Sequence, residues 1–300
     1  MQKQNEGVEF LENATHMGDA VRGDDLNTGT GRRTKAYEDL EFTDDFMFCK
    51  ILENNPKLCK ELAQMITGEK FGEIKTDESQ KSIRIIPDGH GVRFDVYLSD
   101  GKTIADIEMQ TELKDNLPKR SRYYQSVVDV ADFEKNTDYK NLKKSFIIFI
   151  TLKNPFPDYY LRKYTFVNMC REEKRLELGD DAIKIFLTPD GKKGGMSEEM
   201  EALMKYVAEN KAESDFTKEL DEQIRIAKSG NYWRREYMQM RERMDAQFSA
   251  GKKEGNKEGR RNQSIETAER MLAKGKYDPD EISELTGISL EDVKRLAKTK

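Results

Sequence analysis

Cysteine and histidine are scarce in this chain, and their scarcity excludes several chemistries at once. Cys49, Cys59 and Cys170 are widely spaced with no CxxC pair, and only His16 and His90 could supplement them. A structural zinc site needs four such ligands at close spacing. An odd number of thiols also fits a reducing compartment better than a disulfide framework. No serine or cysteine motif accompanies His90, so triad chemistry has no support and His90 reads as a turn residue. Long apolar runs are missing too. None reaches membrane length, and residues 1–13 lack the continuous apolar core of a signal peptide. The expectation is a soluble cytoplasmic protein with no membrane partner. Nor is there an excess of positive charge: 52 Lys and Arg stand against 57 Asp and Glu, a net of -5. Contact with nucleic acid therefore needs a local basic patch rather than a global field.

What is present divides the chain into five segments. Residues 1–36 are polar, with Gly23, Gly29 and Gly31 among Asp, Asn and Thr, and read as a disordered tail. Residues 37–190 read as a mixed α/β domain. Phe42, Phe46, Ile51 and Leu52 begin a helical pattern that Pro56 interrupts and Leu58, Leu62, Met65 and Ile66 resume. Strand-like runs follow at 82–86, 92–98 and 103–110 as a meander, then a helix from Pro118 to Phe133. Phe146-Ile147-Ile148-Phe149-Ile150 is apolar on both faces, as a strand in the centre of a sheet must be. Runs at 164–169 and 183–187 complete up to six strands, a central mixed β-sheet flanked by helices.

The rest is expected to be all-helical. In 191–250, Ser197 caps a helix with an apolar stripe at Met200, Leu203, Met204 and Val207. Leu220 and Ile224 mark a second helix. Trp233, Tyr237, Met240 and Met244 mark a third, whose stripe serves equally as an internal packing face or as a seam for a homo-oligomer. In 251–262, Gly251, Gly255 and Gly259 recur among Lys, Glu and Arg. Each glycine lowers helix propensity by about 1 kcal/mol, so the segment reads as a flexible linker. Residues 263–300 outline a helix-turn-helix, with Gly287 in the turn and Ser289 and Asp292 as a capping box. Glu291 and Asp292 stand at the end of the second helix that would approach phosphates, so the unit reads as packing or partner contact. The basic residues between Arg234 and Arg261 are the best local candidate for phosphate contacts, although the Glu residues among them also fit a solvated helix face.

The chemistry concentrates in residues 94–110. Side chains alternate along a strand, so Asp106, Glu108 and Gln110 share one face and Ala105, Ile107 and Met109 the other. Two readings fit that spacing: the solvated face of an antiparallel strand, or carboxylates converging on a divalent cation such as Mg²⁺ or Mn²⁺. Asp95 weighs for the second, because it interrupts an otherwise apolar strand where a buried carboxylate needs a partner.

Asp95 followed by Glu108-Met109-Gln110 resembles the PD-(D/E)XK nuclease signature, with Gln110 where most families place lysine. The neighbouring motifs sharpen the resemblance: Phe42-Thr43-Asp44-Asp45-Phe46-Met47-Phe48-Cys49-Lys50, Lys119-Arg120-Ser121-Arg122-Tyr123-Tyr124-Gln125-Ser126, and Asp138-Tyr139. Together, over about residues 37–300, they resemble the bacterial recombination-promoting nuclease and putative transposase family. That resemblance implies a restriction-endonuclease-like fold and a DNA endonuclease dependent on Mg²⁺ or Mn²⁺. The metal would be held by Asp95, Glu108 and the backbone carbonyl of Met109, with Asp45 as a further acidic residue. Arg120 and Tyr124, four apart on one helix face, would contact the phosphate. Gln110 departs from the signature: a neutral amide orients water by hydrogen bonds but brings no charge. A relative that binds DNA or protein without cutting, and a nuclease acting on RNA, remain as alternatives.

Overall fold

The computed structural model describes residues 35–74, 82–83, 92–113, 116–133, 138–192 and 196–298. The expected N-terminal tail up to residue 34, the strand residues 84–86, His90 and Gly194-Gly195 lie outside the described residues. The described residues fall into two compact units, divided between Arg234 and Arg235.

In the first unit a short 3-10 helix, Tyr37–Asp39, precedes α1 (Asp45–Asn54) and α2 (Pro56–Thr67). The break between the two helices falls at Asn55. Pro56 opens α2, where its missing N–H costs nothing. Gly68 ends α2 in the left-handed region at φ 77, and its N–H is donated to Gln64 O. Strands β1 (Ser82–Ile83) and β2 (Val92–Arg93) pair antiparallel as a two-stranded ribbon. Strands β3 (Val96–Ser99) and β4 (Thr103–Gln110) are antiparallel, joined by a tight turn. The run at 92–98, expected as one strand, is therefore two: it breaks at Phe94-Asp95, and its halves pair with different partners.

Helix α3 (Leu117–Asp132) carries the chain back over the sheet to β5 (Lys144–Thr151), parallel to β4. A parallel neighbour requires such a crossover. Strands β6 (Lys163–Phe166) and β7 (Ala182–Leu187) complete a five-stranded mixed sheet in the order β3-β4-β5-β7-β6. As its doubly apolar sequence requires, β5 is the central strand.

One face of the sheet is covered by α3. Leu117, Tyr124, Val127 and Val128 pack on Ile104, Ile147, Phe149 and Phe186. Each large apolar side chain so buried contributes about 2 to 3 kcal/mol. Gln125 Nε2 adds a buried hydrogen bond to Ser145 Oγ at 2.6 Å, tying α3 to β5. Ala105, Ile107, Phe146 and Ile148, on the other face, are equally buried. Helix α4 (Glu198–Glu209) is capped by Ser197, whose Oγ accepts the Met200 N–H. Helix α5 (Asp215–Ser229) follows; α4 packs on α2 and α5, and α1 packs on α2, α5 and β3. With both faces covered, the solvated-strand reading of β4 fails: Asp106, Glu108 and Gln110 are 0%, 1% and 7% exposed.

Helix α6 (Tyr232–Lys274) runs unbroken through 251–262, correcting the expected flexible linker. In the second unit, α7 (Pro279–Thr286) and α8 (Leu290–Lys298) close a small core of Ala268, Ile282 and Val293. Asp278 and Glu281 form a capping box on α7, and Gly287 turns the chain at φ 70. Ser289 Oγ accepts the Asp292 N–H. Among the described residues, no helix is long and apolar enough to cross a membrane.

Candidate active site

Asp95 occupies the break between β2 and β3, where the chain leaves one ribbon to join the main sheet. Its backbone N–H is donated to Glu108 Oε1 at 2.9 Å, and its own Oδ2 accepts the Met109 N–H at 3.2 Å. The Glu108 carboxylate is thus tied to the backbone of Asp95, and the Asp95 carboxylate to the backbone of Met109, across the β3–β4 edge. Both are 1% exposed. Carboxylates so buried are tolerated only with hydrogen bonds and positive charge nearby.

The charge comes from α3. Arg120 Nη2 lies 3.6 Å from Glu108 Oε2, and Nη1 donates to Gln110 Oε1 at 2.8 Å. Nη2 also donates to Tyr124 Oη at 2.9 Å. The guanidinium carbon stands 5.3 Å from the centre of the Tyr124 ring and 5.5 Å from that of Phe149. Phe149 is the β5 residue directly opposite Glu108 in the parallel register, so ring and carboxylate share the face under α3. Placing arginine and tyrosine four apart puts both on one stripe of the helix, directed at the end of β4.

A third element closes the group. Asp45, in the first turn of α1, Cys49 one turn later and Asp95 each offer a ligand atom, and these atoms all lie within 4.8 Å of one another. The Cys49 thiol stands 3.8 Å from Asp45 Oδ1 as its donor. Cys49 is buried while Asp45 is exposed, so the cluster reaches from the interior to the surface. This donor set fits a divalent cation: carboxylate oxygens suit Mg²⁺ and Mn²⁺, and a thiol inclines a site toward softer transition metals. Cys59 differs. Burial on α2 pushes its thiol up to about 12, which leaves it an inert packing residue.

The structure therefore brings Asp95, Glu108, Gln110, Arg120 and Tyr124 into one bonded network and sets Asp45 against Asp95. Met109 meets the network through its N–H. Asp106 lies on the same face of β4, opposite Tyr97 and Ile147, one step further into the sheet. Asp44 precedes α1 without capping it: its Oδ2 instead accepts the Glu41 N–H at 2.7 Å and a Lys35 hydrogen bond at 2.8 Å. Cys49 is the residue that sequence reasoning missed. Its only signal was the spacing of four from Asp45 on a helix.

A five-stranded mixed sheet flanked by helices, with buried carboxylates where a split edge strand meets the second strand, defines the restriction-endonuclease-like class. The model of the family described as PD-(D/E)XK nuclease family transposase matches residues 43–255. The chain belongs to that family. No curated protein and no solved structure matches it. The match spans the whole sheet and the candidate site, and ends within α6 before α7 and α8.

Proposed function

We propose that this protein is a metal-dependent DNA endonuclease whose cutting promotes recombination or transposition. The observation that carries the proposal is the pair of buried carboxylates Asp95 and Glu108, fixed by the Met109 and Asp95 backbone N–H groups respectively, beside Asp45 and Cys49. Asp95, Glu108 and the Met109 carbonyl would hold Mg²⁺ or Mn²⁺, with Asp45 as a further ligand. When bound, such a cation polarises the scissile phosphate and lowers the pKa of a water, so that hydroxide is available at neutral pH. The chain's own part is positional. The Asp95 and Glu108 hydrogen bonds fix the carboxylates before substrate arrives, which removes a reorganisation cost from the reaction. Arg120 and Tyr124 offer N–H and O–H donors to the phosphate, and Gln110 is the polar side chain at the end of β4.

DNA is the substrate that family membership supports, and the cytoplasm the compartment where free thiols such as Cys49, Cys59 and Cys170 stay reduced. On α6, Met244 and Phe248 are exposed one turn apart, which supports self-association through the C-terminal helices.

The test is incubation of the full chain with supercoiled plasmid and Mg²⁺ or Mn²⁺, beside a chelator control, Asp95→Ala, and an RNA of matching sequence. Nicked or linear plasmid is expected only from the wild type with metal, with the RNA left intact. Equal cutting by Asp95→Ala would remove the site assignment. Binding without cutting under either metal would make the protein a silent relative, and cleavage of the RNA alone would replace the substrate.

A further inference from the structure

The end of β4 presents two buried carboxylates and a neutral amide, so the strand itself supplies no cation. Phosphodiester hydrolysis nevertheless builds negative charge on the phosphate oxygens, and a dry site needs positive charge aimed at it. The side chain that brings such charge comes from a different element. Arg120 reaches the face of β4 from α3, with Nη1 on Gln110 Oε1 at 2.8 Å and Nη2 3.6 Å from Glu108 Oε2. Its side chain is only 13% exposed. A guanidinium keeps its charge even there, which a lysine ammonium, readily neutralised by burial, does not guarantee.

Its placement is over-determined. Tyr124 Oη accepts from Nη2 at 2.9 Å, the Tyr124 and Phe149 rings lie within 5.5 Å, and Gln110 accepts from Nη1. Four groups on three elements hold one side chain, more than a surface ion pair requires. The Gln110 amide oxygen is committed to this contact, so Gln110 is arranged as the seat of an arginine.

Resting on the nuclease reading above, we propose that Arg120 is the catalytic cation of this site, facing the scissile phosphate, and that Gln110 is its positioning residue. The positive charge that a signature lysine carries at the end of the strand is delivered here from α3. The side chain at position 110 steers it. A lysine at 110 then becomes an alternative source of the same charge, which makes the proposal testable by exchange.

Four proteins are compared in single-turnover plasmid cleavage with Mg²⁺ or Mn²⁺: wild type, Arg120→Gln, the double variant Arg120→Gln/Gln110→Lys, and Asp95→Ala. Thermal melts establish that each is folded, and fluorescence anisotropy with a labelled duplex in Ca²⁺ reads DNA binding apart from chemistry. Arg120→Gln is expected to lose about 10²- to 10³-fold in rate, the scale of removing one donor that stabilises developing charge. The double variant is expected to regain about tenfold or more of that loss, since charge returns to the site. A residue that merely braces α3 would show no such recovery. Arg120→Gln cutting at the wild-type rate overturns the proposal. So does a folded, DNA-binding double variant no faster than Arg120→Gln. A wild type no faster than Asp95→Ala overturns the nuclease reading and this proposal together, whereas wild-type activity well above Asp95→Ala with an unaffected Arg120→Gln overturns this proposal alone.

Discussion

The β4 strand and the middle of α6 are both rich in charge, yet the structure treats them in opposite ways. Along β4, Asp106 and Glu108 are buried on the face that α3 covers, and Glu108 reaches Asp95, Arg120 and Gln110 through a bonded network. Along 251–262 of α6, every residue is exposed. Charge density therefore says little about role. What separates the two regions is the cost of desolvation: in α6 water screens each charge and leaves it nearly neutral to stability. In β4 each carboxylate must be matched by a donor or a cation.

The most severe way to break that contrast is to remove one partner inside β4. Glu108→Ala strands the buried Asp95 N–H and leaves Arg120 without its carboxylate. Removing one member of a buried pair costs about 3 kcal/mol or more, so the variant should melt far below the wild type and should not cleave. Glu108→Gln keeps an amide oxygen for the Asp95 N–H but also removes the negative charge beside Arg120, so it should lose less stability than Glu108→Ala while still failing to cleave. Urea denaturation of the three proteins side by side decides this. Equal stability of Ala and Gln variants would show that the lock between Asp95 and Glu108 contributes nothing to folding.

Asp100 tests the ground between the two regions, because it is half-exposed yet heavily bonded. It lies in the β3–β4 turn, where Oδ1 accepts the Lys102 N–H at 2.9 Å and the Thr103 N–H at 2.8 Å. Its Oδ2 accepts the Gly72 N–H at 2.7 Å, clipping the turn to the segment after α2. Partial desolvation pushes its carboxyl upward, but the N–H groups of Gly72, Lys102 and Thr103 outweigh that and hold it below the usual carboxylate range. A depressed folded value means stability present above the unfolded value and lost as pH falls through the folded one. Asp100→Ala should cost about 2 kcal/mol at neutral pH, and the gap to wild type should close under strongly acidic conditions. Thermal melts across that pH range read both effects; a gap constant with pH would assign the loss to turn geometry rather than to the charged acceptor.

These contrasts also mark what the sequence made legible. The central position of β5 could be read because an apolar residue at every position leaves no face for water. The helix break at Pro56, the Ser197 cap and the Gly287 turn could be read because each depends on local backbone chemistry. The burial of Asp106, Glu108 and Gln110 could not, since alternation looks the same whether α3 or solvent covers the polar row. Asp95 was the useful clue there, a carboxylate in an apolar run. The same residue hid the strand break, because a run of β-formers does not announce a change of pairing partner. Cys49 stayed hidden because its place in the site depends on Asp95, which the fold alone brings to α1. The Arg120 contacts with Glu108 and Gln110 were out of reach for the same reason, although the Arg120 and Tyr124 spacing pointed to their common face.

The smallest effect falls in α6, where local propensity and structure disagree. Three glycines at 251, 255 and 259 argue for a linker, yet the helix continues through them, and a Cβ added at any of the three meets nothing within 4 Å. No packing contact demands glycine at these positions, so each lowers the helix's intrinsic stability by about 1 kcal/mol. The helix persists because the flanking residues are mostly good helix formers and a helix, once nucleated, extends at little cost per residue. Gly255→Ala should therefore raise the helicity of the full chain, seen at 222 nm, and stabilise the C-terminal unit by about 0.5 to 1 kcal/mol. Protection of the 251–262 amides from hydrogen exchange should rise with it. Unchanged protection would show that this stretch is not helical in solution. A fall in stability would show that a partner presses against the glycine stripe, and the solvated side of the comparison with β4 would then have to be redrawn.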